Sequence, residues 1–154
     1  MTQTLMTKLY GGDLFDNLRE EKEQPLDRIP KIKPNEKLEK IVKGYEDFIR
    51  EADDYEKAEK LYDKIKVKDV SSKDIEDFSL TLGKYEHHKN FSNSGFYLSR
   101  LINVSEDNEF TIHTNYLDSS INYLGYKNIK NLTINGNARN EVGYSMNNGT
   151  ITVN

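Results

Sequence analysis

The chain of 154 residues has room for one ordinary domain or two small modules, and its 22 basic against 26 acidic residues leave a net charge of −4. That balance gives no global attraction to phosphate backbones or anionic lipid, which argues against nucleic acid and membrane surfaces as partners. The absence of cysteine removes disulfides, thiolate metal sites and cysteine nucleophiles together, and fits a reducing, cytoplasmic setting. Residues 1–34 contain no apolar signal-peptide core, and no apolar run in the chain is long enough to span a bilayer.

Residues 1–34 hold all three prolines, Pro25, Pro30 and Pro34, beside the charged string Arg19-Glu20-Glu21-Lys22-Glu23. Proline fixes its own φ and pushes the preceding residue out of the helical region, so this stretch is expected to be a flexible, proline-containing arm with a short helix over residues 14–22.

Residues 35–90 are dense in charge: 27 of 56 are Asp, Glu, Lys or Arg, against 9 of 64 in residues 91–154. A shift that steep predicts a module boundary near Asn90. Within the charged module, Leu38, Ile41, Tyr45, Phe48, Ala52 and Tyr55 alternate steps of three and four, the pattern of one helical stripe. Asn35 is a suitable cap, and the stripe drifts on to Ala58, Leu61, Tyr62 and Ile65, with Glu59 interrupting its heptad track. A second helix is predicted from Ser71 or Ser72, where Ser71-x-x-Asp74 resembles a capping box, with Ile75, Phe78, Leu82 and Tyr85 as its stripe. Joined by Val67–Ser71, the two should fold back as an antiparallel helical hairpin, the stripe forming its inner face rather than an oligomerisation seam.

Residues 91–154 change character, with 13 Asn among them. Phe110-Thr-Ile112-His, Leu132-Thr-Ile134-Asn and Ile151-Thr-Val153-Asn alternate apolar and polar residues as one-faced strands do. Asn135-Gly136-Asn137 and Asn147-Asn148-Gly149 signal turns. Leu124-Gly125-Tyr126…Leu132-Thr133-Ile134-Asn135 is followed by a near copy, Val142-Gly143-Tyr144…Ile151-Thr152-Val153-Asn154, with the Gly-Tyr pairs 18 and the strands 19 residues apart. A period of about 18–20 suits one rung of a strand-and-turn coil that must stack on a neighbour to bury its apolar face. Two Asn-Gly hairpins in an antiparallel sheet would alternate similarly, but the near-constant spacing favours the coil.

The run from Asn137 to Asn154 resembles the Gly-rich right-handed β-helix repeat found in the glutamate synthase C-terminal domain and in one of the subunits of formylmethanofuran dehydrogenase. Val142, Gly143, Met146, Gly149, Ile151 and Val153 fall on the marked positions of its G-x-x-x-x-x-V-G-x-x-M-x-G-G-x-I-x-V-x-G pattern. Asn148 and Asn140 stand where glycines are usual, and Ile129 replaces the methionine of the earlier copy; the likeness covers residues 124–154 only. It implies a β-solenoid and an architectural, non-catalytic part, not the chemistry of those enzymes.

Catalytic signals are sparse. Adjacent His87 and His88 point about 100° apart on a helix and do not share a metal without help, and His113 takes an outward strand position. Neither a nucleophile elbow nor a phosphate-binding glycine loop occurs. A carbohydrate-active β-helix enzyme would need two carboxylates at one groove, for which Glu106, Asp107, Glu109, Asp118 and Glu141 are the candidates. Tyr126 and Tyr144 hold equivalent positions and are expected to stack in a column, and Asn135 and Asn154 to form an amide ladder.

The expectation is therefore an α+β chain: an N-terminal antiparallel helical hairpin followed by two to three rungs of a right-handed parallel β-helix. No cofactor or metal is expected. No capping sequence follows the second copy, so Val142, Tyr144, Met146, Ile151 and Val153 form the candidate interaction surface, where a further rung, another copy or a protein partner docks. The rival functions are the small carbohydrate-active enzyme and a helical-hairpin adaptor whose arm folds on a partner.

Overall fold

The computed structural model describes residues 30–33 and 35–154. All but Pro30 belong to the second of two compact units, Lys31–Asn154. The proline-containing arm and its predicted short helix lie outside the described residues, apart from 30–33.

Helix α1, Glu36–Glu51, starts as its sequence predicts. The Asn35 side chain accepts the Leu38 N–H at 2.8 Å, Glu36 and Glu39 sit in the first turn, and the stripe Leu38, Ile41, Tyr45 and Phe48 is buried. The long first helix expected to run on past Tyr55 is, however, broken. Ala52 leaves the helical region, and Asp54 accepts the Lys57 N–H at 2.8 Å to cap a separate helix α2, Tyr55–Tyr62. The aspartate offers the backbone a local acceptor that outcompetes helix continuation. Helix α3, Ser72–Ser79, has the predicted capping box between Ser71 and Asp74. It stops short of Leu82 because the Ser79 and Thr81 hydroxyls donate back to the carbonyls of Glu76 and Phe78, and the chain tightens into a 3-10 turn over Leu82–Tyr85.

A fourth helix, α4 at Ser94–Val104, was not expected. Ser94, Gly95, Phe96, Tyr97, Leu98, Ser99, Leu101 and Ile102 are all buried, and only Arg100, Asn103 and Val104 at its end are not, too short a stripe to generate a helical period. Among the described residues the expected two-helix hairpin is thus corrected to four α-helices.

Strands β1 (Glu109–His113), β2 (Asn131–Asn135) and β3 (Thr150–Val153) form one parallel sheet in that order. Its register aligns Phe110 with Leu132 and Ile151, and Ile112 with Ile134 and Val153. The antiparallel-hairpin alternative therefore fails. So does the right-handed β-helix: the three strands make a single open sheet that neither closes nor curls into a solenoid, and α3 packs against β1. Solenoid rungs supply both walls of their own core; here helices supply one wall, which is why the apolar stretch 91–104 turns helical. Along the sheet, Glu109, Asn131 and Thr150 are linked by side-chain hydrogen bonds, and Asn154 donates to Asn135 at 3.0 Å as the ladder expectation required.

The core runs from Leu38 through Ile134 without a break at Asn90. Tyr45 lies edge-on to Phe78, Tyr85 and Tyr97 at centroid distances of 5.3, 5.0 and 5.4 Å. The Tyr97 hydroxyl donates to the Ile41 carbonyl at 2.6 Å, and that of Tyr45 pairs with Ser94 Oγ at 2.6 Å. Helix α4 also presses against the first repeat: a β-carbon on Gly95 would stand 1.9 Å from the Asn122 carbonyl oxygen. Gly95→Ala is expected to cost about 2–3 kcal/mol in urea unfolding, since the backbone it meets has no room to shift.

Burial pushes the Tyr45 and Tyr97 hydroxyls well above their usual value, and the Asp47 carboxylate adds to the rise at Tyr97. Raised folded-state values favour the native protein below the unfolded tyrosine pKa of about 10, and that advantage is lost as pH climbs beyond it. Alkaline titration should show tyrosinate absorbance from these two residues rising together with loss of circular dichroism. Full ionisation of all ten tyrosines near the ordinary value in a still-folded chain would refute this.

Candidate functional site

The two sequence copies adopt the same backbone. Tyr123, Gly125 and Lys127 have φ of 63°, 79° and 54°; Glu141, Gly143 and Ser145, each 18 residues later, have 62°, 71° and 58°. Four of these six are not glycine, and each costs roughly 1–2 kcal/mol in that region. The cost is offset where the copies bond to one another. Tyr123 N–H donates to the Asn140 carbonyl, Gly143 N–H to Leu124, Lys127 N–H to Tyr144 and Asn147 N–H to Asn128, all between 2.9 and 3.0 Å. Alternating left-handed residues turn successive N–H groups toward the neighbouring copy. Gly125 holds its φ of 79° directly beneath Ile151, whose Cδ1 a β-carbon there would meet at 2.4 Å and push aside.

What separates the copies is burial. In the first, Leu124, Tyr126, Leu132 and Ile134 are each at most 1% exposed. In the second, Val142 and Ile151 are half-buried, while Tyr144, Met146 and Val153 are 41%, 37% and 50% exposed. All five predicted interaction residues therefore lie on the outer layer. Ile151 and Met146 lean over Gly143, and Tyr144, Met146 and Val153 present apolar atoms to water.

Strand β3 is also the sheet edge. Thr150 and Asn154 donate their N–H groups inward, to Lys130 and Ile134. By strand alternation, the N–H and C=O groups of Ile151 and Val153 point outward.

Aromatic packing anchors this layer. Tyr144 lies parallel to Tyr126, 6.2 Å away at 10°, so the expected column forms. It is also edge-on to Tyr123 and Tyr55. Tyr123 stacks between Tyr55 and Phe96 at 5.2 and 4.6 Å. The Glu59 carboxylate accepts both the Tyr126 hydroxyl, at 2.6 Å, and that of Tyr55, at 3.1 Å. Burial, reinforced by this bond to Glu59, holds the Tyr126 hydroxyl above its usual range. Glu59, an apparent interruption of a helical stripe, thus tethers α2 to the repeat; only an acceptor lying between two tyrosines far apart in sequence could have signalled it.

Two of the catalytic candidates are engaged in bonds to other parts of the fold. Asp107 accepts the Ser72 N–H at the start of α3, Glu109 accepts from the Asn131 amide, and Asp118 N–H donates to Glu86. Glu106 is exposed after α4, and Glu141 is exposed on the outer copy. His113 Nε2 pairs with Glu76 at 2.7 Å, and His88 Nδ1 accepts the Asn90 N–H. Among the described residues no group of three or more His, Cys, Asp or Glu is placed to hold a metal ion, and no helix is long and apolar enough to cross a membrane. The chain matches no family model, no curated protein and no solved structure.

Tyr144→Ala should cost about 0.5–1.5 kcal/mol of stability, the worth of an aromatic pair on a partly exposed layer. Val153→Lys should change thermal stability by no more than about 0.5 kcal/mol, because half of that side chain is already in water. Equal, large losses from both would mean that the outer layer belongs to the folding core.

Proposed function

We propose that this chain is an assembly module whose edge strand β3, with the outer repeat around it, docks another strand. The observation that carries this is the contrast between two copies of one backbone: the inner is covered, the outer is bare at Tyr144, Met146 and Val153. The outward N–H and C=O groups of Ile151 and Val153 add directional bonds to that apolar patch. Edges guarded against association commonly carry lysine, proline or a bulge, and Thr150–Val153 has none of these.

The simplest supplier of the strand is a second copy, whose own β3 would pair with this one antiparallel about a two-fold axis. A strand of four residues buries little, so the pairing is weak and concentration-dependent. A carbohydrate-active role is disfavoured because two of the acidic side chains it would need, Asp107 and Glu109, are already bonded to Ser72 and Asn131.

Sedimentation velocity should show reversible dimers at concentrations on the order of 100 μM, with association abolished by Val153→Lys. A clean monomer across the whole accessible range, or dimers unaffected by Val153→Lys, would overturn the proposal.

A further inference from the structure

On a different surface, α1 and the segment leaving α2 enclose a groove of about 650 Å³. Its floor is apolar, built from Phe48, Leu61, Ile65, Val67 and Tyr97. Its rims are cationic: Lys37, Lys40 and Lys43 stand on α1, and Lys64, Lys66 and Lys68 on the facing segment, against the carboxylates of Asp47, Glu51 and Asp69. A chain with net charge −4 therefore gathers six lysines around one apolar trough. Ion pairing does not explain them. Among the described residues none of the six forms a salt bridge, and only the Lys37 ammonium makes a hydrogen bond, to the Lys68 carbonyl at 2.9 Å.

The facing segment leaves the end of α2 through a turn at Lys64 and runs on over Ile65–Lys68 in neither helix nor sheet. Lys64, Lys66 and Lys68 are exposed and alternate with half-buried Ile65 and Val67, a period of two. The backbone N–H groups of Lys66, Val67 and Lys68 make no hydrogen bond among the described residues.

We propose that this groove binds an extended acidic peptide in which carboxylates alternate with apolar side chains, laid beside Ile65–Lys68 as an added strand. Each feature selects one property of the occupant. The lysine rims select negative charge, the apolar floor selects side chains with hydrocarbon, and the unused amides select an extended backbone. A compact anion would engage the rims and leave the floor wet. The 16 residues of α1 span about 24 Å at 1.5 Å per residue, room for about seven residues of extended peptide.

The test uses the full chain and a fluorescently labelled peptide of about eight residues alternating glutamate with leucine or valine. Saturable binding is expected at low salt, weakening as salt is raised. The double substitution Lys66→Glu and Lys68→Glu, at exposed positions, should weaken it at least about tenfold while leaving circular dichroism unchanged. Amide chemical shifts at Lys66, Val67 and Lys68 should move on titration. Absence of saturable binding, equal affinity for the charge-reversed variant, equal affinity for oligoglutamate without apolar positions, or shift changes confined to other residues would each overturn the assignment.

Discussion

Helix α4 is the constraint on which the remaining structure depends. From Ser94 to Ser99 its residues are buried on every side, so this part of the helix cannot lie on a surface; it must be enclosed. Each large side chain it buries contributes roughly 1.5–3 kcal/mol, so enclosure is strongly driven. Tyr97 ties it to α1 through the Ile41 carbonyl, Asn103 reaches the Tyr62 hydroxyl of α2, and Ser99 Oγ accepts the Tyr126 N–H of the first repeat. Gly95 lets the two backbones meet where any side chain would hold them apart. The helical half and the repeat half are therefore two walls around one central element.

The repeats show how local cost and non-local gain are coupled. Left-handed residues such as Tyr123, Lys127, Glu141 and Ser145 are unfavourable in isolation, and Tyr123 and Lys127 donate their N–H groups to carbonyls of the other copy. Neither copy can be expected to hold this backbone alone. The outer copy receives that support from one side only. Its apolar side chains and the outward groups of β3 therefore face solvent, which is the physical ground of the assembly proposal.

Charge is segregated in the same economical way. It is densest between residues 35 and 90, where the buried helix stripes need polar opposite faces, and carboxylates take up structural tasks at Asp54, Asp74, Glu59 and Asp107. The lysines around Phe48 and Tyr97 stand apart, because their alternation with Ile65 and Val67 gives an unpaired segment a cationic face. Overall charge speaks against polyanions in bulk; the local arrangement selects a short anionic partner with apolar side chains.

By itself the sequence determined the caps at Asn35 and Ser71, the buried stripe of α1, the three strands, the equivalence of the two repeats, and the Tyr126–Tyr144 and Asn135–Asn154 pairings. These follow from side-chain period, turn chemistry and spacing, which act within a few residues or recur at fixed intervals. The break at Asp54 is a local cap that the continuous stripe concealed, whereas tertiary structure alone decided that residues 94–104 would coil into α4 and that the parallel strands would stay an open sheet rather than wind into a β-helix. A run that buries its serines along with its apolar residues carries little period to read, and a repeat fixes how neighbouring copies stack without stating what covers their other side. Here helices cover it, and that choice rests on contacts between residues far apart in the chain.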